Sequence, residues 1–416
     1  MVRATIATAR AHARGHRRDL RGARLRARRL RRRPAVRTRP VGRRVHARRR
    51  PFVTRLHVAI AALCGPVGGP ATYARRLGAA LAARDDVCVS VLTDRPGDFA
   101  GVEVVPLPTR GGVDRLRWQY VAVPRAARRL RPDVFHDTKN ALPFLLPCPA
   151  AVTVHDLAYH TTPTTFGRFS RAFLKAATAD AVRRARAIVV PSQATAADLR
   201  RIHPASADRI HVVPHGIDAA PRPDAATLAA ARQRLALPER FVLHVGTVQA
   251  RKHVDLVVAG VQELRRRGFP HRVVVVGRDG WRADAALAAL RADATAVRIP
   301  HAAPADLAAI YALADAFCSP SAYEGFGFAV ADALAAGVPT VVSDVSSLPE
   351  LCGDAAVRLP RLDALAVADA LAAVLGDDAL RARLAAAGPR RTAQFSWPAA
   401  AEGHVRAWHA ALAARA

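Results

Sequence analysis

Ser321-Ala-Tyr-Glu-Gly-Phe-Gly-Phe-Ala-Val-Ala-Asp-Ala-Leu-Ala-Ala-Gly-Val-Pro-Thr340 reads as a ligand-binding unit of an α/β protein. The apolar run Ala316-Phe317-Cys318 before it reads as a strand end. Glu324 then stands against a Gly325-Phe326-Gly327 turn, and Ala329 to Ala336 reads as a helix with a second acid, Asp332, in its first turn. Gly337-Val338-Pro339 stops that helix and opens a further strand at Thr340-Val341-Val342. A strand, a glycine turn and a helix N-terminus make an anion site, because unpaired backbone N–H groups and the helix dipole both favour negative charge. An acid on each side of such a site suits sugar or ribose hydroxyls.

Outward from this segment, Val245-Gly-Thr-Val-Gln-Ala-Arg-Lys252 repeats the arrangement earlier in the same half of the chain. It follows the strand Phe241–Val245 and precedes a helix from Val254 to Arg267. Gly246 permits close approach of a ligand to the backbone. Arg251 and Lys252 supply two cations, the first able to grip phosphate with two parallel hydrogen bonds. Cations at a helix N-terminus oppose its dipole, and an anionic ligand would account for them.

The first half of the chain has the same texture. Leu56–Ala61 reads as a buried strand, Gly65-Pro-Val-Gly-Gly-Pro70 as a glycine-rich turn, and Thr72–Arg84 as an amphipathic helix. Further strands are expected at Val87–Leu92, Val102–Pro106, Val134–His136, Ala151–His155, Ala187–Val190 and Ile210–Val213, with helices between them, one of them over Leu116–Leu130. His155 closes Thr153-Val154-His155 at the carboxyl end of its strand, where open parallel sheets bind ligands. Asp156 beside it has capping the next turn as an alternative role. Strands alternating with helices predict two doubly wound parallel sheets. The expected boundaries are a disordered Arg-rich tail over 1–50, a first Rossmann-like domain over 51–218, a linker over 219–239, a second Rossmann-like domain over 240–395, and a C-terminal helix over 396–416.

The acidic segment resembles the E-x7-E motif of retaining nucleotide-sugar glycosyltransferases of family 4, which have the GT-B fold. Gly246-Thr247 followed by Arg251-Lys252 resembles that family's G-T-x-x-x-R-K run, and the order of the two motifs agrees. The chain departs from the pattern at the second acidic position, where Asp332 stands for the usual Glu. The resemblance covers about residues 55–412 and implies two domains facing a cleft, with the C-terminal helix crossing back to the first. It implies that Arg251 and Lys252 neutralise the donor diphosphate together with the N–H groups of Gly325, Phe326 and Gly327. Glu324 would hold donor sugar hydroxyls, Asp332 the ribose, and His155 the donor sugar near the reacting centre. Gly68 and Gly69 match a cleft loop facing the donor phosphates and the acceptor. The implied activity is transfer, with retention, of a hexosyl or mannosyl-type sugar to a glycan or lipid-linked glycan. No cofactor and no metal are expected, the nucleotide-diphosphate sugar being a substrate.

Charge bounds the alternatives. The net charge is +31, but residues 1–55 hold 21 Arg against the single acid Asp19, leaving +11 for the other 361 residues. The basic signal is mostly a tail, so no specific nucleic acid is expected as a partner, and the body has few aromatics for base stacking. A peripheral membrane contact through the tail stays open. Five scattered cysteines show no metal-ligand spacing, and no apolar run reaches a membrane span, so the expected location is cytoplasmic or peripheral at the inner face of the membrane. A non-catalytic scaffold of the same fold remains the alternative from another class, because of Asp332.

Overall fold

The strands are short and apolar throughout, and this fixes how they pack. Runs such as Ala187–Val190, Val273–Val276 and Thr340–Ser343 are buried on both faces, which a parallel sheet covered by helices on each side allows. In the computed structural model, which describes residues 55–414 apart from 64, 66 and 67, these runs build two sheets. The tail expected over 1–50 lies outside the described residues.

The first sheet contains β1 (Leu56–Ala62), β2 (Val87–Thr93), β3 (Glu103–Pro106), β4 (Val134–Asp137), β5 (Ala150–Thr153), β6 (Ala187–Val190) and β7 (Ile210–Val212). Their order is β3-β2-β1-β4-β5-β6-β7, and every pair is parallel. The second contains β8 (Phe241–Val245), β9 (Arg272–Val276), β10 (Val297–Ile299), β11 (Ala316–Ser319), β12 (Thr340–Ser343) and β13 (Ala356–Leu359). Its order is β10-β9-β8-β11-β12-β13, again all parallel. Each sheet reverses its winding once, between β1 and β4 and between β8 and β11. Such reversals open a crevice at the carboxyl ends of the flanking strands, and ligands bind there in open α/β sheets. The two doubly wound domains expected from the sequence are therefore present, each with its own crevice.

Each sheet has a buried apolar cluster on either face. Val58 and Ile60 of β1 belong to one cluster and Ala59 and Ala61 to the other, as the period of a strand requires. The C-terminal helix Trp397–Ala413 contributes Trp397, Val405 and Trp408 to the first domain's core, against the helix Gly69–Ala82. Ser396 caps it by accepting from the Ala399 N–H at 3.2 Å, and Pro398 sits in its first turn, where a missing N–H costs nothing. Trp408 is fully buried, and truncating such a side chain to Ala costs about 3–5 kcal/mol.

A chain of polar contacts ties this helix to the sheet. Trp408 Nε1–H donates to His136 Nδ1 at 2.7 Å, so His136 carries its proton on Nε2, 2.8 Å from Thr153 Oγ1. Thr153 Oγ1 is 2.8 Å from Tyr73 Oη, and Tyr73 Oη is 2.7 Å from His404 Nε2. His404 Nδ1–H donates to the Ala400 carbonyl at 2.7 Å, which leaves its Nε2 as the acceptor. One direction of donation satisfies the whole chain, and both histidines are neutral because burial pushes them below their ordinary value, His404 to about 4.

Two local expectations need correction. The segment 219–239 is not wholly linker, because Ala225–Arg234 is a helix, capped by Asp224 accepting from the Thr227 N–H at 2.8 Å and packed on the helix Pro304–Leu313. The helix expected over Leu116–Leu130 is broken into Asp114–Arg117, a wide π turn at Trp118–Ala122, and Val123–Leu130. Pro124 has no N–H to give the preceding turn, and the Val123 N–H reaches back five residues to the Trp118 carbonyl.

Candidate functional site

The two crevices open onto one cleft of about 530 Å³. The first domain contributes Gly68, Gly69, Thr72, His155, Asp156 and His215 to its wall; the second contributes Gly246, Arg251, Lys252, Arg278, His301, Glu324, Gly325, Phe326, Gly327 and Asp332. Every site residue expected from the sequence lines this cleft. His215, Arg278 and His301 join them without having been expected as site residues.

The centre of the second domain's wall is an ion cluster. Arg251 and Lys252 occupy a single turn, Ala250–Lys252, ahead of the helix Val254–Arg266. The turn is held by the Ala322 N–H donating to the Arg251 carbonyl at 2.8 Å. Arg251 Nη1 lies 3.3 Å from one oxygen of Glu324 and also donates to the Tyr323 carbonyl. Lys252 Nζ pairs with the other oxygen of Glu324. Glu324 is only 6 % exposed. Burial works to raise its pKa, but the Lys252 and Arg251 charges outweigh burial and hold it at about 2. Burial likewise lowers Lys252 from its ordinary value against the pull of Glu324. The cations thus have an anion of the protein's own, and a ligand is not needed to explain their position ahead of a helix.

The turn after Glu324 is built to touch the other domain. A Cβ on Gly325 would collide with the His155 carbonyl oxygen, so only glycine fits there. The Gly325 carbonyl accepts from Ser192 Oγ of the first domain at 2.9 Å. The helix Phe328–Ala335 then begins with Gly327 at its N-cap, and its first residues, Phe328 and Ala329, line the cleft. Gly246 is required for a different reason. Its φ of 151 is what favours glycine there, whereas at neighbouring Gly277 the reason is steric, because a Cβ would collide with the Gly246 carbonyl.

Asp332 is the fifth residue of its helix, in the second turn and not the first as expected, because the helix starts at Phe328. Its carboxyl is open to the cleft but crowded by the wall around it. That crowding, with Asp218 nearby and Arg76 opposing, pushes its pKa up to about 7. Asp218 itself pairs with Arg76 at 2.7 Å at this edge of the first domain.

His155 stands two residues beyond the end of β5 and not within the strand. Its Nε2 is 2.8 Å from the Thr138 carbonyl and must donate, which leaves Nδ1 as a bare acceptor. Burial keeps the ring neutral, with its pKa lowered to about 4. The Tyr73 ring meets it edge-on at 4.8 Å. His215 lies beneath, stacked on Phe328 at 5.2 Å and packed against Tyr73 at 4.6 Å, so its ring fills the seam between the domains.

Further contacts across the seam set the spacing of the walls. The Glu350 carboxylate accepts from the Gln193 N–H at 2.8 Å, at the start of the first domain's helix Gln193–Ile202. Tyr323 Oη donates to Asp198 of that helix at 2.8 Å. An acid at a helix N-terminus is favourably placed. Among the described residues no group of three His, Cys, Asp or Glu side chains is arranged to hold a metal ion.

Two facing doubly wound domains with a cationic, glycine-lined cleft define a class of group-transfer fold, and the comparisons with known proteins place the chain within it. Residues 67–220 match the model of Glycosyltransferase Family 4, and residues 239–377 match that of Glycosyl transferases group 1. The chain belongs to the family 4 glycosyltransferases. It is 28 % identical to the O-antigen chain mannosyltransferase B of Escherichia coli over 65 % of this chain and 73 % of that one. It is 38 % identical to the D-inositol 3-phosphate glycosyltransferase of Xylanimonas cellulosilytica over 52 % of this chain, spanning 54 % of that relative. Among solved structures, sucrose-phosphate synthase from Thermosynechococcus elongatus superposes with a TM-score of 0.68 at 22 % identity, covering 85 % of this chain and 98 % of that one. Anabaena HepE in complex with UDP-glucose gives 0.68 at 16 % identity, covering 85 % and 99 %. The fold is that of GT-B proteins.

Proposed function

We propose that the protein transfers a sugar from a nucleotide-diphosphate sugar to a hydroxyl of a glycan or lipid-linked glycan, with retention of configuration and without a cofactor or metal. The observation that carries this reading is the convergence of Arg251, Lys252 and the N-terminus of the helix Phe328–Ala335 on one cleft. Charge developing on a departing diphosphate would be met there by two cations and by backbone N–H groups, held in place before the ligand arrives. Glu324, fixed by both cations, would accept from donor sugar hydroxyls on its remaining lone pairs. His155 would offer its bare Nδ1 to the same sugar, and Asp332 would take the ribose. Anabaena HepE, a structural neighbour, binds UDP-glucose, which supports a nucleotide sugar as the donor class. The acceptor would enter from the first domain's side, past Gly68 and Gly69.

A lipid-linked acceptor is favoured by one surface of the first domain. Phe169, Ala172, Phe173 and Ala176 form an outward stripe on the helix Arg168–Arg184, with Phe169 93 % exposed. Leu145, 76 % exposed and held at φ 59, stands beside Phe144, whose ring stacks on Tyr120. Exposed Arg115, Arg117, Arg125, Arg128 and Arg129 alternate with Leu116 and Val121 on the neighbouring helical segment. Apolar side chains among arginines suit an anionic bilayer surface.

The test is release of nucleotide diphosphate from a panel of UDP, GDP and ADP sugars, with wild type and with Arg251→Ala/Lys252→Ala. Turnover by wild type that disappears in the double variant supports the reading. No release from any donor, with or without crude lipid-linked acceptor, would overturn it in favour of a non-catalytic relative.

A further inference from the structure

His244 lies in β8 at the second sheet's switch point, fully buried, one strand away from Cys318. Its Nδ1 is 2.9 Å from the Cys318 carbonyl, which only accepts, so Nδ1 carries the proton. Nε2 is then a bare lone pair, and among the described residues it has no hydrogen-bond partner. A buried acceptor without a donor is costly, and such an atom calls for a physical cause. Its surroundings name the donor it faces. A Cβ built on Gly246 would lie 3.8 Å from His244 Nε2 and 3.9 Å from Lys252 Cε, so nitrogen and lysine flank the same glycine. Lys252 has three N–H bonds, and Glu324 takes one of them. The ring is neutral, its pKa lowered by burial to about 4, and is therefore free to accept at working pH.

We propose that His244 is a positioning residue, whose Nε2 accepts a hydrogen bond from Lys252 when the ammonium, still paired with Glu324, turns toward an incoming diphosphate. This rests on the reading of Lys252 as a diphosphate-binding cation. An ammonium shared between a carboxylate and a phosphate needs a third acceptor to fix its direction. His244 supplies that acceptor from beneath the Gly246 turn. Lys252 then spans three acceptors: Glu324 on one side, His244 below and a phosphate oxygen above.

Two substitutions separate the two ring nitrogens. His244→Asn places an amide N–H near Nδ1, keeping the bond to Cys318 and removing the acceptor. His244→Gln places an amide oxygen near Nε2, keeping the acceptor and giving up the bond to Cys318. Calorimetric titration of the full chain with UDP, GDP and ADP should show His244→Asn weakening the best ligand about tenfold, with melting temperature unchanged, while His244→Gln stays near wild type. In a Lys252→Met background, His244→Asn should have no further effect. A second readout replaces the nucleotide with inorganic pyrophosphate. The chain has three lysines, Lys139, Lys175 and Lys252, so mass spectrometry after brief acetylation resolves each. With pyrophosphate bound, Lys252 in His244→Asn should label several-fold faster relative to Lys139 and Lys175. Wild-type affinity and wild-type labelling in His244→Asn would overturn the proposal, as would equal losses in the Asn and Gln variants. If wild type bound pyrophosphate but no nucleotide diphosphate, the donor reading alone would fall and the labelling ratio would still decide the role of His244; binding of neither would overturn both.

Discussion

Arg251 Nη1 rests 3.3 Å from the carboxylate of Glu324, a residue far along the chain, and this pairing sets the chemistry of the cleft in the absence of ligand. The cations are neutralised by an acid that lines the same cavity. A diphosphate entering the cleft therefore shares Arg251 and Lys252 with Glu324 and does not meet two free charges. The cost of burying the cations is met during folding, and binding has only to redistribute their hydrogen bonds.

The first expected outcome concerns this cluster. Arg251→Ala/Lys252→Ala should abolish transfer, each charge-assisted phosphate contact being worth about 2–3 kcal/mol. It should also leave Glu324 buried without a cation, so its carboxyl will take up a proton at higher pH than in the wild type, where it is held at about 2. Infrared titration of the carboxyl band should show one extra protonation in the double variant. An unchanged titration would mean that Glu324 is not held by this pair.

Glu324 also predicts an acid-dependent stability. Its folded pKa lies below its unfolded one, so it stabilises the fold above about 4.5, and that contribution is lost as pH falls toward 2. Five buried histidines act at higher pH. His136, His155, His215, His244 and His404 are all lowered by burial, three of them to about 4. The unfolded chain protonates them first, so stability should fall as pH drops from about 6.5 to about 4. Each adds up to about 1.4 kcal/mol per pH unit at the steepest point. Urea midpoints between pH 7 and 4.5 measure this, and His136→Gln or His404→Gln should flatten the slope by about one proton. A slope unaffected by either change would mean these rings titrate normally in the folded state.

The fold was legible because both halves repeat one local grammar. Leu56–Ala62 and Phe241–Val245 are apolar runs followed by glycine and a helix, and periodicity alone distinguishes them from solvent-facing strands. The segment from Ser321 to Thr340 was legible for the same reason. What could not be read was any contact between distant elements. Nothing local in Tyr323-Glu324 or Arg251-Lys252 indicates that they meet. His244 is a single histidine in an apolar strand, a pattern that ordinary core positions share. Arg278 follows the end of β9 as Arg251 follows β8, and the switch-point rule applied to every strand would have found it. The helix Ala225–Arg234 did carry a signal, Asp224 as cap with Ala and Leu behind it, but Ala is so frequent in this chain that its helix preference was discounted.

Metal dependence offers a third test. The proposed leaving-group stabilisation uses Arg251, Lys252 and backbone N–H groups, so transfer should persist in excess chelator. A strict requirement for added Mg²⁺ or Mn²⁺ would show that the diphosphate is met by an ion, and that the two cations have another task.

The exposed face of the first domain should bind anionic vesicles. At about 0.5 M salt long-range attraction is screened and apolar insertion persists. Wild type should then still sediment with phosphatidylglycerol vesicles, its preference over phosphatidylcholine being smaller than at low salt. Leu145→Ser/Phe169→Ser/Phe173→Ser should lose most of this binding while keeping transfer to a soluble acceptor. Equal sedimentation of wild type and variant would remove the face from consideration. Self-association abolished by the same changes would make it an interface between copies.

Asp332 gives the last and most discriminating prediction, because its carboxyl is one methylene shorter than the family's usual Glu. It is also pushed up to about 7 by the crowding of the cleft wall, with Asp218 adding to that and Arg76 opposing. A neutral carboxyl is a weaker acceptor for ribose hydroxyls than a carboxylate. As pH rises through about 7 the group ionises, so donor affinity should strengthen and the donor KM should fall. Asp332→Asn should remove this pH dependence and hold KM near its acid-side value. Asp332→Ala should weaken the donor by about 1–3 kcal/mol, leaving ribose hydroxyls without a partner. Asp332→Glu should keep activity and lower the donor KM, since the longer side chain reaches the ribose without a bridging water. Glu324→Gln should instead reduce kcat more than it raises KM, the acid being anchored beside the reacting sugar. Steady-state constants for the four variants between pH 6 and 8.5 decide the assignment. A wild-type pH profile in Asp332→Asn, or a wild-type KM in Asp332→Ala, would remove the ribose from Asp332 and leave its raised pKa as a consequence of crowding alone.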